Sequence, residues 1–403
     1  MAKALVVRGH KVSIILPPYD NIRDAGRSYK YQNINIYNVS LSQKPIFCLG
    51  HLAIAGALVS HTVKLQPDII HVFKPKGYSG LACTILTLLQ RLRLLSAARV
   101  ILDVDDWEGY GGWNDILDYT QAEKLFFQLQ EVVIPRFTDA VTVATYTLYR
   151  RMIKFGVRGD KIYYIPNGPN QLRYSPSEEL NRYDKYNCSK HIGLHQLRNL
   201  NQNTKIILLY TRFTETSIVN LTQLFKQILA KFKNVTIHGK AHTPATPTLQ
   251  FLIVGNNRRF DACSKLRALA KLSRLDHLII FTGWVSPSEL PYYLRCADVA
   301  IYPAEDTAIN RAKCSAKLIE LMHFGLPIVA TDVGDVSKYI ESGVSGILVP
   351  PGDPERFATA VVCLLKNKYL QQKLGANARA QVWSKFSWDD KLVLEVEAAY
   401  TGS

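Results

Sequence analysis

At 403 residues, with 47% hydrophobic and 20% charged residues, the chain is too long for one compact core and too apolar for disorder, so two globular domains are expected. Lys and Arg outnumber Asp and Glu by 49 to 33, a formal net charge of +16 that favours an anionic partner such as a phosphorylated substrate or an anionic membrane face. No nucleic-acid-binding motif accompanies the charge, and seven scattered Cys without a CxxC pair point to a reducing cytoplasm rather than a disulfide framework or a zinc site.

The opening residues carry Arg8, His10 and Lys11 and no small-residue cleavage site, so they do not read as a secretory signal. Short β-rich runs at 11–16, 34–39, 68–73, 99–104, 140–144 and 161–165 predict strands. Helical stretches fall between them, for example 81–95 and 121–136. This alternation predicts a parallel sheet covered on both faces. The apolar run 46–63 contains His51, Ser60 and His61, which favours a buried helix over a membrane span. Basic residues gather at Lys74 and Lys76, at Arg91, Arg93 and Arg99, and at Arg150, Arg151 and Lys154; they suit a solvated face or an anionic membrane. Lys74 ends a predicted strand, where it could hold an acceptor phosphate or remain a solvated charge.

The strand at 99–104 runs into an acidic turn holding Asp103, Asp105, Asp106 and Glu108. Clustered acids at a strand end can orient a hydroxyl or bind a polyhydroxyl ligand. Trp107, Tyr110 and Trp113 suit stacking on sugar rings. Gly111 and Gly112 would let a backbone approach a substrate. A solvated acidic turn is the alternative, which the aromatic residues make the weaker of the two.

Residues 171–204 are polar and rich in Asn and Tyr, which reads as a linker. The rhythm then restarts with strands at 205–210, 251–254, 278–282, 299–302, 327–330 and 346–349, and a loop insertion at 238–248. The stretch 313–331 reads as a short helix, a Gly-Pro turn and a buried strand. Ser315 can cap the helix, Lys317 and Glu320 share one face, and Leu318, Leu321 and Met322 can bury the other. A basic group in the first turn and an acid one turn on suit a nucleotide sugar: the helix start and Lys317 for phosphates, Glu320 for a ribose diol. On residue types alone, an ordinary solvated pair is the favoured reading of them. His191 with His195, and His238 with His242, have i,i+4 spacing but no completing ligand, so no metal site is expected. A final helix is predicted at 388–400.

Several segments together resemble glycosyltransferase family 4, of the GT-B fold. Residues 141–170 (VTVATYTLYRRMIKFGVRGDKIYYIPNGPN) look like that family's strand, helix and Asn-Gly run, with Asn167 and Gly168 in place and Asn170 for the usual Asp. Residues 251–255 (FLIVG), 278–303 (LIIFTGWVSPSELPYYLRCADVAIYP) and 318–353 resemble its later motifs, the last almost throughout. The resemblance implies an α/β GT-B architecture of two doubly wound Rossmann-like domains facing a cleft. Residues 1–170 would bind the acceptor, with the helix at 385–403 packing back on them. Residues 171–204 would link to a nucleotide-sugar domain at 205–384.

The implied function is transfer of a glycosyl unit, with retention, from a nucleotide-diphosphate sugar to a saccharide or lipid-linked acceptor, without metal or further cofactor. Arg212, Gly255, Ser315, Lys317, Leu318 and Glu320 map onto the donor site. The family's second cation falls on Ser217, so Lys317 is expected to take over that charge. The first Glu of the family's Glu-x7-Glu motif falls on Ala312, with Glu305 and Asp306 nearby at a different spacing. Asp105 and Asp106 stand where many members carry a catalytic His-Asp pair, with Lys74, Trp107, Glu108, Gly111 and Gly112 on the acceptor side. A cytoplasmic protein, peripheral on the inner membrane face, is implied. A GT-B-shaped nucleotide-sugar-binding protein with little turnover and a nucleotide-sugar epimerase remain as alternatives. Family members also open with a strand and a glycine-rich loop that have no counterpart before residue 1. A shortened reading frame is the expectation, with a gap in the first sheet and low stability or activity.

Overall fold

The computed structural model describes residues 1–18, 21–40, 47–95, 98–169, 203–237, 248–256 and 261–402. The expected linker lies almost wholly outside the described residues, as do most of the loop insertion, Asn170 and both His pairs. The chain divides into two compact units. Unit 1 is Met1–Pro166 with Thr307–Cys314 and Ser387–Ser403; unit 2 is Asn167–Asp306 with Ser315–Phe386. The final helix therefore groups with unit 1. So does the segment Thr307–Cys314, which nothing in the sequence reading separated from its neighbours.

Unit 1 holds two sheets. Strands β1 (Ser13–Leu16), β2 (Ser28–Tyr31) and β3 (Ile34–Asn38) pair in the order β1-β3-β2. Strands β4 (Ile69–Phe73), β5 (Arg99–Val104), β6 (Ala140–Val143) and β7 (Ile162–Tyr164) pair in sequence order, all parallel. β2 is an unforeseen strand, antiparallel to β3. Gln32 and Asn33 between them have φ of 48° and 65°, the left-handed pair that closes a two-residue hairpin. Among the described residues the two sheets share no strand pairing. In β1, Ile14 is 37% exposed, although β-branched residues of parallel sheets are normally covered. By contrast, Val100, Ile101, Leu102, Ala140 and Val141 in the second sheet are fully buried.

The run 46–63 forms the helix Phe47–Leu65, with Ile54 and Ala55 buried but Leu52 exposed, so it is covered on one side only. Among the described residues no helix is long and apolar enough to cross a membrane. The helices Ala2–Val7 and Val393–Thr401 share a small core of Ala4, Leu5, Ile165, Val393 and Val396. Tyr400 at the end of the last helix meets the Nδ1 of His71 on β4 at 3.1 Å. The His71 Nε2 lies 3.3 Å from the Thr142 hydroxyl, which donates to Asp103. Because that hydroxyl gives its proton to Asp103, it accepts from Nε2–H, and Nδ1 accepts from Tyr400. Burial pushes His71 down to about 4, in keeping with a neutral ring in this chain.

Unit 2 is one continuous parallel sheet of β8 (Lys205–Tyr210), β9 (Leu249–Val254), β10 (Ile279–Gly283), β11 (Val299–Tyr302), β12 (Ile328–Thr331) and β13 (Ile347–Val349). The order is β10-β9-β8-β11-β12-β13. Its core contains Ile207, Leu209, Phe225, Phe251, Val299 and Val361, with the rings of Phe225 and Phe251 stacked at 4.2 Å. The chain winds outward from β8 in one direction and then returns to build from β11 in the other. The strand order reverses between β8 and β11, and the carboxyl ends of strands at such a switch point are where sheets of this kind bind ligands.

Candidate active site

Loops at that switch point are tied together by named side chains. After β8, Thr211 and Phe213 point inward and Arg212 outward. Phe213 adopts φ of 58°, a conformation costly for a bulky residue. The turn is held because Phe213 N–H donates to Thr211 Oγ1 at 2.7 Å, and Thr211 Oγ1 donates to Glu215 Oε2 at 2.8 Å. Glu215 is buried and also accepts from Thr214 N–H. Its other oxygen lies 3.2 Å from Lys317 Nζ. Lys317, read from the sequence as a cation for phosphate, is thus oriented by a buried carboxylate that the sequence reading did not single out.

Gly255 follows β9 with φ of 116°. A Cβ there would stand 2.1 Å from the Thr211 carbonyl oxygen, so only glycine fits beside the turn that carries Arg212. The helix Ala316–His323 starts at Ser315, whose hydroxyl accepts from Leu318 N–H at 3.3 Å. Leu318 and Leu321 enter the core, and Glu320 is only 7% exposed. Gly325, with φ of 64°, then turns the chain into β12.

Two departures from the family pattern acquire physical reasons. Glu305, after β11, accepts from Ser217 N–H at 2.6 Å, Asn220 Nδ2 at 2.8 Å and Thr216 Oγ1 at 3.1 Å. Burial works against its charge, but these hydrogen bonds outweigh it and lower its pKa. Glu305 therefore anchors the start of the helix Ile218–Ile237, and Ser217 supplies a backbone donor where a lysine was expected. Ala312 is fully buried in unit 1, and its carbonyl accepts from Thr145 Oγ1 at 3.2 Å. An acid at 312 would have to be buried there.

The acidic turn of unit 1 converges on two lysines. Lys74 has φ of 66°, and its Nζ lies 2.8 Å from Asp106, 3.3 Å from Asp105 and 3.5 Å from Glu108. Burial opposes its charge, but the three carboxylates outweigh it and keep it protonated. Lys76 Nζ pairs with Glu108 at 2.6 Å and sits 4.6 Å from the Tyr119 ring centre. Asp105 is pushed up by burial, with Lys74 pulling against the shift. Asp105 and Asp106 keep part of their surface open, whereas Glu108 is buried as a counter-ion. Among the described residues no group of three or more His, Cys, Asp or Glu is placed to hold a metal ion.

Stacking on a sugar is not what the structure offers Trp107. It is buried, with the Arg151 guanidinium 3.5 Å from its ring centre, Phe155 beside it, and its Nε1 donating to the Tyr110 carbonyl. Tyr110, 82% exposed, is the aromatic residue this turn presents to solvent. Gly112 is fixed by the turn itself: a Cβ there would lie 2.4 Å from the Trp107 carbonyl oxygen. Gly111, with φ of 74°, has more room and donates its N–H to Asp115.

A family model described as "Glycosyl transferase 4-like domain" matches residues 1–168, and one described as "Glycosyl transferases group 1" matches residues 205–367. The chain belongs to the family 4 glycosyltransferases. An uncharacterized glycosyltransferase of Methanocaldococcus jannaschii is 22% identical to this transferase over 97% of the chain and 89% of its own length. The N-acetyl-alpha-D-glucosaminyl L-malate synthase of Bacillus anthracis is 27% identical over 99% of the chain and 91% of its own length. Among solved structures, sucrose-phosphate synthase from Thermosynechococcus elongatus superposes with a TM-score of 0.71 at 20% identity, covering 99% of this chain and 90% of that one. The Anabaena HepE protein, solved with UDP-glucose, gives 0.60 at 16% identity, covering 91% and 87%. The transferase therefore has the GT-B fold.

Of the donor residues read from the sequence, the structure gathers Gly255, Ser315, Lys317, Leu318, Glu320 and the turn of Arg212 within unit 2 of the transferase. Glu215, the carboxylate that pairs with Lys317, is the residue the sequence does not reveal. An acid three residues beyond Arg212 carries no local signal, because its partner lies 102 positions away.

Proposed function

We propose that this glycosyltransferase moves a sugar from a nucleotide-diphosphate donor to a saccharide or lipid-linked acceptor, with retention at the anomeric carbon. One observation carries the reading. The turn bearing Arg212, the obligatory glycine after β9 and the helix bearing Lys317 and Glu320 are linked into one network at the switch point, through Thr211 and Glu215. The departing nucleoside diphosphate is where charge develops, so preorganised cations act there most strongly. Arg212 offers a planar fork and Lys317 a fixed ammonium, while the capped start of helix Ala316–His323 adds its partial positive charge. Glu320 supplies a carboxylate for the ribose hydroxyls. Gly255 keeps the neighbouring backbone free of a side chain. The Anabaena protein solved with UDP-glucose is a GT-B neighbour that binds such a donor, which supports this class.

On the acceptor side, Asp105 and Asp106 are the acids left partly open, and Lys74 holds both in place. We assign them the orientation of the acceptor hydroxyl. No cofactor besides the donor enters the reading. The net charge of +16 suits work in the cytoplasm against an anionic membrane surface, where a lipid-linked acceptor would be met.

Thermal-shift measurements with UDP, GDP, ADP and their sugars test the donor site. One nucleotide series is expected to raise the melting temperature, and Arg212→Ala and Glu320→Ala each to abolish that rise. Retention of the shift in both variants refutes the site. NMR of the product's anomeric proton tests the stereochemistry, and inversion overturns retention.

A further inference from the structure

The helices Gly77–Arg91 and Gln121–Val133 connect β4 to β5 and β5 to β6. Both crossovers join neighbouring parallel strands, so their common right hand places both helices on the same side of the sheet. Their inward faces are accounted for by buried Gly80, Ala82, Cys83 and Leu86 on one and Phe127, Gln130 and Glu131 on the other. Their outward faces are unlike those of an ordinary soluble layer. Leu88 and Leu92, one turn apart, are 55% and 58% exposed; Leu125 and Leu129, also one turn apart, are 68% and 59% exposed. Long aliphatic side chains at i and i+4 form a stripe, and here two stripes lie on adjacent helices.

The exposed charges at the end of the first helix are basic. Arg91 and Arg93 stand exposed at the end of the first helix, with Leu94 exposed beside them. Arg91 also stacks 5.0 Å from the ring centre of Phe137, which is itself partly open to solvent. The two acids of these helices are turned away or engaged. Glu131 is buried against the backbone of Glu108, and Glu123 closes a capping box with Thr120. Exposed leucines with arginines beside them match a surface that is apolar beneath an anionic layer. A leucine enters the acyl boundary while a guanidinium reaches up to phosphate.

We propose that the outward face of helices Gly77–Arg91 and Gln121–Val133 docks on the surface of an anionic lipid bilayer, with the four leucines inserted and Arg91 and Arg93 on the headgroups. This deepens the membrane-surface part of the proposed function and rests on it. It also moves the contact away from Lys74, Lys76 and Arg151, which the structure commits to carboxylates and to Trp107.

Co-sedimentation of the full chain with phosphatidylcholine vesicles, with and without phosphatidylglycerol, tests the assignment. The native protein is expected to pellet only with phosphatidylglycerol present. The double variants Leu88→Ser with Leu92→Ser, and Leu125→Ser with Leu129→Ser, should each lower partitioning at least about tenfold. Arg91→Ala with Arg93→Ala should lower it about tenfold and flatten its salt dependence. All three should keep the nucleotide-induced thermal shift, and the two leucine variants, altered only at exposed side chains, should melt like the native protein; Arg91→Ala also removes a hydrogen bond to the Phe137 carbonyl, so the arginine variant is read from its salt dependence. Leucine variants that pellet like the native protein would overturn the assignment while leaving the membrane reading intact. A native protein that ignores phosphatidylglycerol overturns both. A leucine-dependent dimer in solution without vesicle binding makes the face an interface between copies and also overturns the proposal. The thermal shift reports on the donor site separately from all of these.

Discussion

Single side chains in this protein take their meaning from partners far along the chain. Lys317 is a lysine in the first turn of a helix until Glu215 fixes it; then it is a cation of defined position. Breaking a mostly buried pair from one side leaves an uncompensated charge, which typically costs about 3–5 kcal/mol. Glu215→Ala is therefore expected to lower stability markedly in urea titrations. Combining it with Lys317→Met should cost less than the sum of the two single changes, since residues in contact couple. Additive losses would show that the two residues do not act as a pair. Ser217 and Ala312 carry the same lesson in reverse. Judged against the family pattern they are losses, yet Ser217 presents an N–H to Glu305, and Ala312 fills a closed position.

At the scale of elements, most strands are plain in the sequence. β5, β8 and β11 fall where their apolar runs predict, because the middle of a strand covered on both faces is apolar. β2 is hidden because Ser28–Tyr31 lies exposed and carries no buried face to betray it. Its hairpin turn, Gln-Asn, lacks the glycine that usually marks such turns. The inward set of Trp107 is equally illegible: an aromatic residue in an acidic turn suits a sugar and a guanidinium alike, and only the position of Arg151 decides. The two sheets of unit 1 make a prediction of their own. Backbone amides of β1 and β4 should exchange with deuterium well before those of β5 and β8, because strands at a sheet edge open with less of the structure. Equal protection across all four would mean that the two sheets of unit 1 are not separate units of stability.

For the whole molecule, the buried acids of unit 1 couple stability to pH. Burial pushes Asp103 up from an ordinary 3.8 to about 7, Asp105 adds to the shift, and the Thr142 hydrogen bond opposes it. The folded state then keeps a proton that the unfolded chain releases, so this contribution to stability is complete below pH 3.8 and is lost as pH rises towards 7. Other groups titrate across the same range, and a comparison with Asp103→Asn isolates the effect. The variant should gain on the native protein by up to about 1.4 kcal/mol per pH unit over that window in chemical denaturation. A difference independent of pH would show that Asp103 is ionised throughout.

The amino-acid sequence by itself determined the fold class, the alternation of strands and helices and the helix-turn-strand that carries Lys317 and Glu320. These follow from periodicity and turn chemistry, which act over a few residues. Tertiary structure alone decided which charges are spent on one another. Lys74 went to Asp105 and Asp106, Lys76 to Glu108, Glu305 to the start of helix Ile218–Ile237, and Arg151 to Trp107. It also decided that four leucines on two helices would face outward together. The physical reason is the range of the forces involved. Burial and backbone preference are written locally, but an ion pair or a shared surface exists only once distant segments have been brought within a few ångströms.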